Sequence, residues 1–219
     1  MNKSLMRRLA FGLGVAAFAA APAQAVAASP ASAVTTAAQT TTSVDTSMCS
    51  NPTLTQPFLS WGDTNWYALA PGETARNFNG AGWVLTGGAR IVTRTLLDGT
   101  TGSVLDLPPG SQAVSPTVCL TSDYPNARMM VANLSGSNGS NVGFSVSYAG
   151  TSSATTPVQT GTFSTTGSTG VAGAWQLSGS VPLAPSSTPG WQPMKIVLTP
   201  SGGKEYAIYN LQLDPRMCR

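Results

Sequence analysis

Trp61, Asp63, Asn65, Trp66 and Tyr67 crowd three aromatic rings, a carboxylate and an amide into residues 61–67. Aromatic faces stack on the apolar CH faces of sugar rings, and amide or carboxylate groups bond the hydroxyls. The chemistry this cluster would do is recognition, as a platform for a polyhydroxylated ligand. The same rings could instead cover the open end of a folded domain, which is the commoner use of such residues. Trp83 sits inside an alternating run and reads as core. Trp175, before Gln176-Leu177, and Trp191, after Pro189-Gly190, could lie on loops and are second candidates.

Residues for turnover are scarce. The chain has no histidine, so no imidazole activates a serine or completes a metal shell. A Ser-Lys pair built on Lys195 or Lys204 has no supporting motif. Glycoside hydrolysis needs two carboxyl groups at roughly 5 to 9 Å. Asp98 and Asp106 flank an expected turn and Asp123 follows the Cys119 run, but nothing in their spacing brings two together. The reading is a chain that is not an enzyme, with no cofactor implied.

Charge and leader come next. Lys3, Arg7 and Arg8 form a positive n-region, Leu9 to Ala21 an apolar run that Pro22 breaks, and Ala23-Gln24-Ala25 the small residues a signal peptidase reads. Residues 1–25 therefore read as a signal peptide cleaved after Ala25. The run is too short to span about 30 Å of hydrocarbon, so no membrane span is expected after cleavage. Arg7-Arg8 lacks the flanks of a twin-arginine signal, which favours the general secretory route. Residues 26–48, almost all Ala, Ser and Thr, read as a disordered leader. Removing Lys3, Arg7 and Arg8 from the 11 basic residues leaves 8, equal to the 8 acidic ones. A neutral mature chain argues against nucleic acid, which requires a basic face.

Residues 49–219 are then one domain, large enough to bury a core. Cys49, Cys119 and Cys218 suit an oxidising exterior and permit one disulfide, with the pairing left open by their spacing. No two of them lie close enough in sequence to suggest a metal site. Between frequent Gly, Ser, Asn and Pro breaks lie short β-rich runs: 83–86, 89–93, 142–148, 194–199 and 206–213. Val142 to Tyr148 alternates apolar and small residues, as a strand with one buried face should. No long 3.6-residue apolar period appears. The pattern predicts an all-β antiparallel sandwich or barrel.

Certain blocks are more specific. Trp83-Val84-Leu85-Thr86-Gly87-Gly88-Ala89, then Leu107-Pro108-Pro109-Gly110-Ser111-Gln112-Ala113-Val114-Ser115-Pro116-Thr117-Val118-Cys119, and Asn210-Leu211-Gln212-Leu213-Asp214-Pro215 resemble blocks of a family of uncharacterised secreted bacterial proteins. Cys49, with Gln56-Pro57-Phe58 and Trp61, resembles the family's opening. The resemblance implies a jelly-roll β-sandwich, galactose-binding-like and similar to carbohydrate-binding modules. It also implies a Cys49–Cys119 disulfide, since both cysteines belong to the matching blocks, with Cys218 left as a lone thiol. Relatives with this fold often carry acids before the tryptophan and in the last strand, where they can help hold calcium. Here those places read Ala75-Arg76-Asn77-Phe78-Asn79 and Ile208-Tyr209-Asn210, so no metal site is assigned.

Two readings of different class follow. One is a secreted non-catalytic module that binds a glycan of the cell envelope or surroundings through Trp61, Asp63, Asn65, Trp66 and Tyr67. The other is a structural or adhesive extracellular protein with no small ligand. An exposed aromatic beside a groove favours the first; a sandwich with every tryptophan buried favours the second.

Overall fold

The computed structural model describes residues 43–136, 141–164 and 172–214. The chain divides into Met1–Thr40 and Thr41–Arg219, and every described residue lies in the second unit. Residues 1–25, read from the sequence as a signal peptide, most of residues 26–48 and Cys218 lie outside the described residues.

The described strands, in chain order, are β1 (Leu54–Thr55), β2 (Tyr67–Leu69), β3 (Glu73–Thr74), β4 (Asn77–Phe78), β5 (Val84–Thr86), β6 (Arg90–Thr95), β7 (Thr101–Leu107), β8 (Gln112–Val114), β9 (Val118–Leu120), β10 (Asn126–Asn133), β11 (Asn141–Tyr148), β12 (Val158–Ser164), β13 (Trp175–Leu177), β14 (Val181–Pro182), β15 (Gln192–Pro200) and β16 (Tyr206–Asp214). The larger sheet runs β1-β2-β16-β10-β13, with β7 beside β16, β6 beside β7 and β14 beside β10. The smaller runs β12-β11-β15-β8-β5, with β9 beside β15. The β3–β4 hairpin stands apart. Every pairing is antiparallel. The described residues form an all-β antiparallel jelly-roll sandwich: the spacing of the runs predicts an antiparallel sandwich or barrel, and the family resemblance implies the jelly roll.

Alternation builds the core. Val142, Phe144, Val146 and Tyr148 on β11 and Met194, Ile196 and Leu198 on β15 meet Ala127, Met129 and Val131 on β10 and Leu105 and Leu107 on β7. Phe144 and Phe163 meet edge to face, their centroids 5.2 Å apart. Burying each such side chain contributes about 1.5–3 kcal/mol. Trp83 joins this core, as its sequence setting predicts, and its Nε1 donates to Pro71 O at 2.8 Å. Pro193 and Pro200, which flank the 194–199 run read from the sequence, lie inside the ends of β15, where a missing N–H disturbs the ladder least.

The strand that matters most is β16. It lies between β10 on one side and β7 and β2 on the other, so all nine residues are buried. Its register against β10 slips between Arg128 and Met130, and Asn210 sits there at φ +56°. This bulge resets the alternation: Tyr206 and Ile208 face the inner core before it, Leu211 and Leu213 after it. The far face of this sheet is also covered in part. Phe58, Tyr67, Leu96, Val104, Met130, Ala132, Ala207 and Tyr209 form a second apolar cluster there.

Cys49 and Cys119 are joined, tying the start of the domain to β9 across a sequence separation of 70.

Candidate functional site

The segment between β1 and β2 carries the aromatic residues singled out from the sequence. Phe58 is fully buried, and the chain then makes a single 3-10 turn over Leu59–Trp61. Gly62 ends it at φ +75°, a conformation that an L side chain adopts at a cost, and its N–H caps Leu59 O at 2.9 Å. This places the Trp61 ring edge-on to Phe58, centroids 6.1 Å apart, and leaves Trp61 45% exposed.

Asp63, Asn65 and Tyr67 turn the other way. Asp63 Oδ1 accepts from Asn65 N–H at 3.0 Å, and Oδ2 accepts the Tyr67 hydroxyl at 2.6 Å and an Arg128 guanidinium N–H. Arg128 also donates Nε and Nη2 to Ser178 O, at 3.1 and 3.0 Å, and lies over the Phe58 ring, 5.8 Å from its centroid. Burial pushes the Asp63 carboxyl up, but Tyr67, the Asn65 N–H and Arg128 outweigh it and hold the group below its ordinary value. Tyr67 is fully buried, edge to face with Phe58 at 5.1 Å. The expectation that its ring could join a sugar platform is corrected: β2 packs it beneath Phe58, so it offers no face. Trp66 is half-buried. The cluster therefore splits, with Trp61 at the surface and Asp63, Asn65 and Tyr67 clamping the loop that holds it.

Trp61 overlooks a groove of about 590 Å³ on the outer side of the larger sheet. Pro57, Ser60 and Trp61 form one wall. Leu96, Leu97 and Asp98, in the turn between β6 and β7, form a second. Ala75 and Arg76, at the tip of the β3–β4 hairpin, form a third. Met130, Tyr209 and Asn210 line it from β10 and β16. Half-buried Trp175 buttresses the second wall from β13: its Nε1 donates to Thr95 O at 2.8 Å and its ring meets Tyr209 edge to face at 4.7 Å. Burial pushes the Tyr209 hydroxyl up, and its hydrogen bond with the Leu97 backbone opposes this only in part. Arg76 and Asp98 pair across the rim at 3.1 Å, both well exposed. Charge at the groove thus cancels. An exposed pair of this kind adds little stability.

The other carboxylates are engaged elsewhere. Asp106 is fully buried, with Arg90 at 2.8 Å and Arg94 at 2.9 Å. It lies five residues along β7 from Thr101, at least about 15 Å from the turn that holds Asp98, given some 3.3 Å per residue. That exceeds the reach of a glycosidase pair. Asp123 accepts from the Thr121 hydroxyl at 3.1 Å. Glu73 is different. Its Oε2 accepts the Leu211 N–H at 3.1 Å, while its buried Oε1 makes no hydrogen bond among the described residues. Burial pushes its carboxyl up to about 8, and only the backbone N–H groups of Leu211 and Asn210 oppose this.

Trp191 lines a separate cavity of about 350 Å³ with Tyr148, Ala184 and Gln192. Sequence reasoning missed Arg76, Leu97, Tyr209 and Asn210 as groove residues. Each comes from a segment brought in by long-range pairing, and none carries a local signal.

No protein-family model and no curated protein sequence matches the chain. Among solved structures it is similar to a family 6 carbohydrate-binding module from Clostridium cellulolyticum in complex with xylose (TM-score 0.39, 18% identity, 57% of this chain and 87% of that one). A second is the CBM22-1-GH10 part of Clostridium thermocellum endo-1,4-β-D-xylanase 10B with xylohexaose (0.40, 16%, 63% and 27%). A third is the CBM22-1 xylan-binding domain of Paenibacillus barcinonensis Xyn10C (0.37, 12%, 61% and 85%). At these scores the likeness carries no ligand to this chain.

Proposed function

We propose that the chain is an exported, non-catalytic module that binds a neutral glycan of the cell envelope or surroundings in the groove beside Trp61. One observation carries the reading: an exposed indole over a groove whose charges cancel, with Ser60 at its rim and the buried Tyr209 and Asn210 in its floor. A sugar stacks on the indole, while hydroxyl and amide groups bond its hydroxyls. The separation of Asp98 from Asp106 supports recognition without hydrolysis. The Cys49–Cys119 bond suits an oxidising compartment and supports export. The exposure of Trp61 favours this over a purely structural or adhesive role. The test is a glycan array with the mature domain beside its Trp61→Ala variant. Signals on neutral oligosaccharides that disappear in the variant are expected; an empty array, or one unchanged by the substitution, overturns the reading.

A further inference from the structure

Glu73 sits at the base of the hairpin whose tip forms one wall of the groove. It pairs with Phe78, and Thr74 with Asn77, leaving Ala75 and Arg76 at the tip. Its carboxyl reaches the β16 bulge and accepts the Leu211 N–H at 3.1 Å. The neighbouring bulge residue, Asn210, lines the same groove. Phe78, fully buried, anchors the far strand of the hairpin. Asn77 Oδ1 takes the Ser103 N–H at 3.0 Å, which fixes that strand to β7. Glu73 is therefore the side-chain hydrogen bond from the hairpin to the bulge.

The surroundings suit a neutral carboxyl. Oε1 is out of solvent without a partner. On β16 the titratable side chains are Tyr206, Tyr209 and Asp214. On β2 it is Tyr67, bonded to Asp63. On β7 it is Asp106, held by Arg90 and Arg94. At the hairpin tip Arg76 pairs with Asp98. None of these charges contributes to the proton balance at Glu73, which burial and two backbone donors set. Among the described residues no cation meets a charge here, and a buried ion without a partner is strongly disfavoured.

We propose that Glu73 is a proton-controlled latch on the groove: as the neutral acid it seats the β3–β4 hairpin on the β16 bulge, and on losing its proton it lets go. The wall carrying Ala75 and Arg76 then loosens and a bound sugar is released. The effect on sugar rests on the groove reading above; the latch itself does not. The seated carboxyl is pushed up to about 8, and opening draws the proton off, so release falls near or below that value. If only the seated form binds, affinity falls several-fold as pH rises from 7 to 9.

The test is an NMR titration of the mature domain from pH 4 to 10. The ¹³C shift of the Glu73 carboxyl in the wild-type chain gives the midpoint without any substitution. A midpoint near 8, shared by the amides of Asn210, Leu211, Ala75 and Arg76, is expected. In Glu73→Gln the four amides should lose that step. A carboxyl midpoint near 4.5, or one near 8 that leaves the four amides still, overturns the latch. In parallel, xylohexaose and cellohexaose are titrated at pH 7 and 9. A several-fold fall in the wild type and none in Glu73→Gln is expected, and equal affinities at the two pH values in the wild type overturn the coupling. No binding of either sugar at pH 7 counts against the groove as their site, and the NMR result alone then decides the latch.

Discussion

The Arg128–Asp63 pair is the clamp on which the position of Trp61 depends, and its strength follows from its contacts. Arg128 makes an ion pair with Asp63, two N–H contacts to the single carbonyl of Ser178, and a cation–π contact with Phe58. Hydrogen bonds to a charged group contribute about 1.5–3 kcal/mol, and the contact with Phe58 about 0.5–1 kcal/mol. Both side chains are mostly buried, 23% and 10% exposed, so solvent screens the pair only in part. Arg128→Met keeps the apolar stem and removes the guanidinium. It should cost about 2–4 kcal/mol, part of which is the penalty of leaving Asp63 without its cation. Asp63→Asn removes the same charge pair from the other end. A double-mutant cycle by urea denaturation, with the disulfide intact, should therefore give a coupling of about 1.5 kcal/mol or more. A coupling below about 0.5 kcal/mol would refute the clamp. The Asp63 carboxyl, held below its ordinary 3.8, adds a pH signature. Its contribution is present above that value and is lost as pH falls through the lower folded one.

Two further predictions concern stability. Glu73 holds its proton more tightly in the folded protein, at about 8 against 4.5, so its contribution is greatest below about pH 4.5, declines as pH rises to about 8, and is flat beyond. The span is at most about 4–5 kcal/mol; urea midpoints at pH 5, 7 and 9 should converge on a smaller slope in Glu73→Gln, and identical slopes in the two proteins would contradict this. The Cys49–Cys119 bond closes a loop with a separation of 70, which chain entropy values at about 4 kcal/mol as an upper figure. Cys119→Ser should lower stability by about 2–4 kcal/mol in the same assay, and a loss under 1 kcal/mol would show that the reduced chain retains the constraint.

The architecture was legible because alternation is local. Val142 to Tyr148 announces its buried face within one strand, and the breaks on either side mark its ends. The disulfide was legible from the blocks containing Cys49 and Cys119, not from spacing. The site was legible only at one wall. Trp61 lines the groove, but Asp63 turns inward to Arg128, a cation 65 positions away. Tyr67 is lost to the core because β2 packs on β16, a pairing that nothing near Tyr67 reveals. The bulge at Asn210 inverts the alternation midway through β16, so a strict period of two misassigns the second half. Glu73 drew no reading from the sequence, because the Leu211 N–H that it accepts lies 138 positions away.

The central claim is that sugar binds against Trp61. Isothermal titration of the strongest neutral oligosaccharide from the array, into the wild type, Trp61→Ala and Trp191→Ala, tests it most directly. Loss of one aromatic contact is about 1 kcal/mol or more, so affinity should fall at least about fivefold in Trp61→Ala. Trp191→Ala, which alters a different cavity, should bind as the wild type does. Unchanged affinity in Trp61→Ala, or a loss confined to Trp191→Ala, would contradict the account.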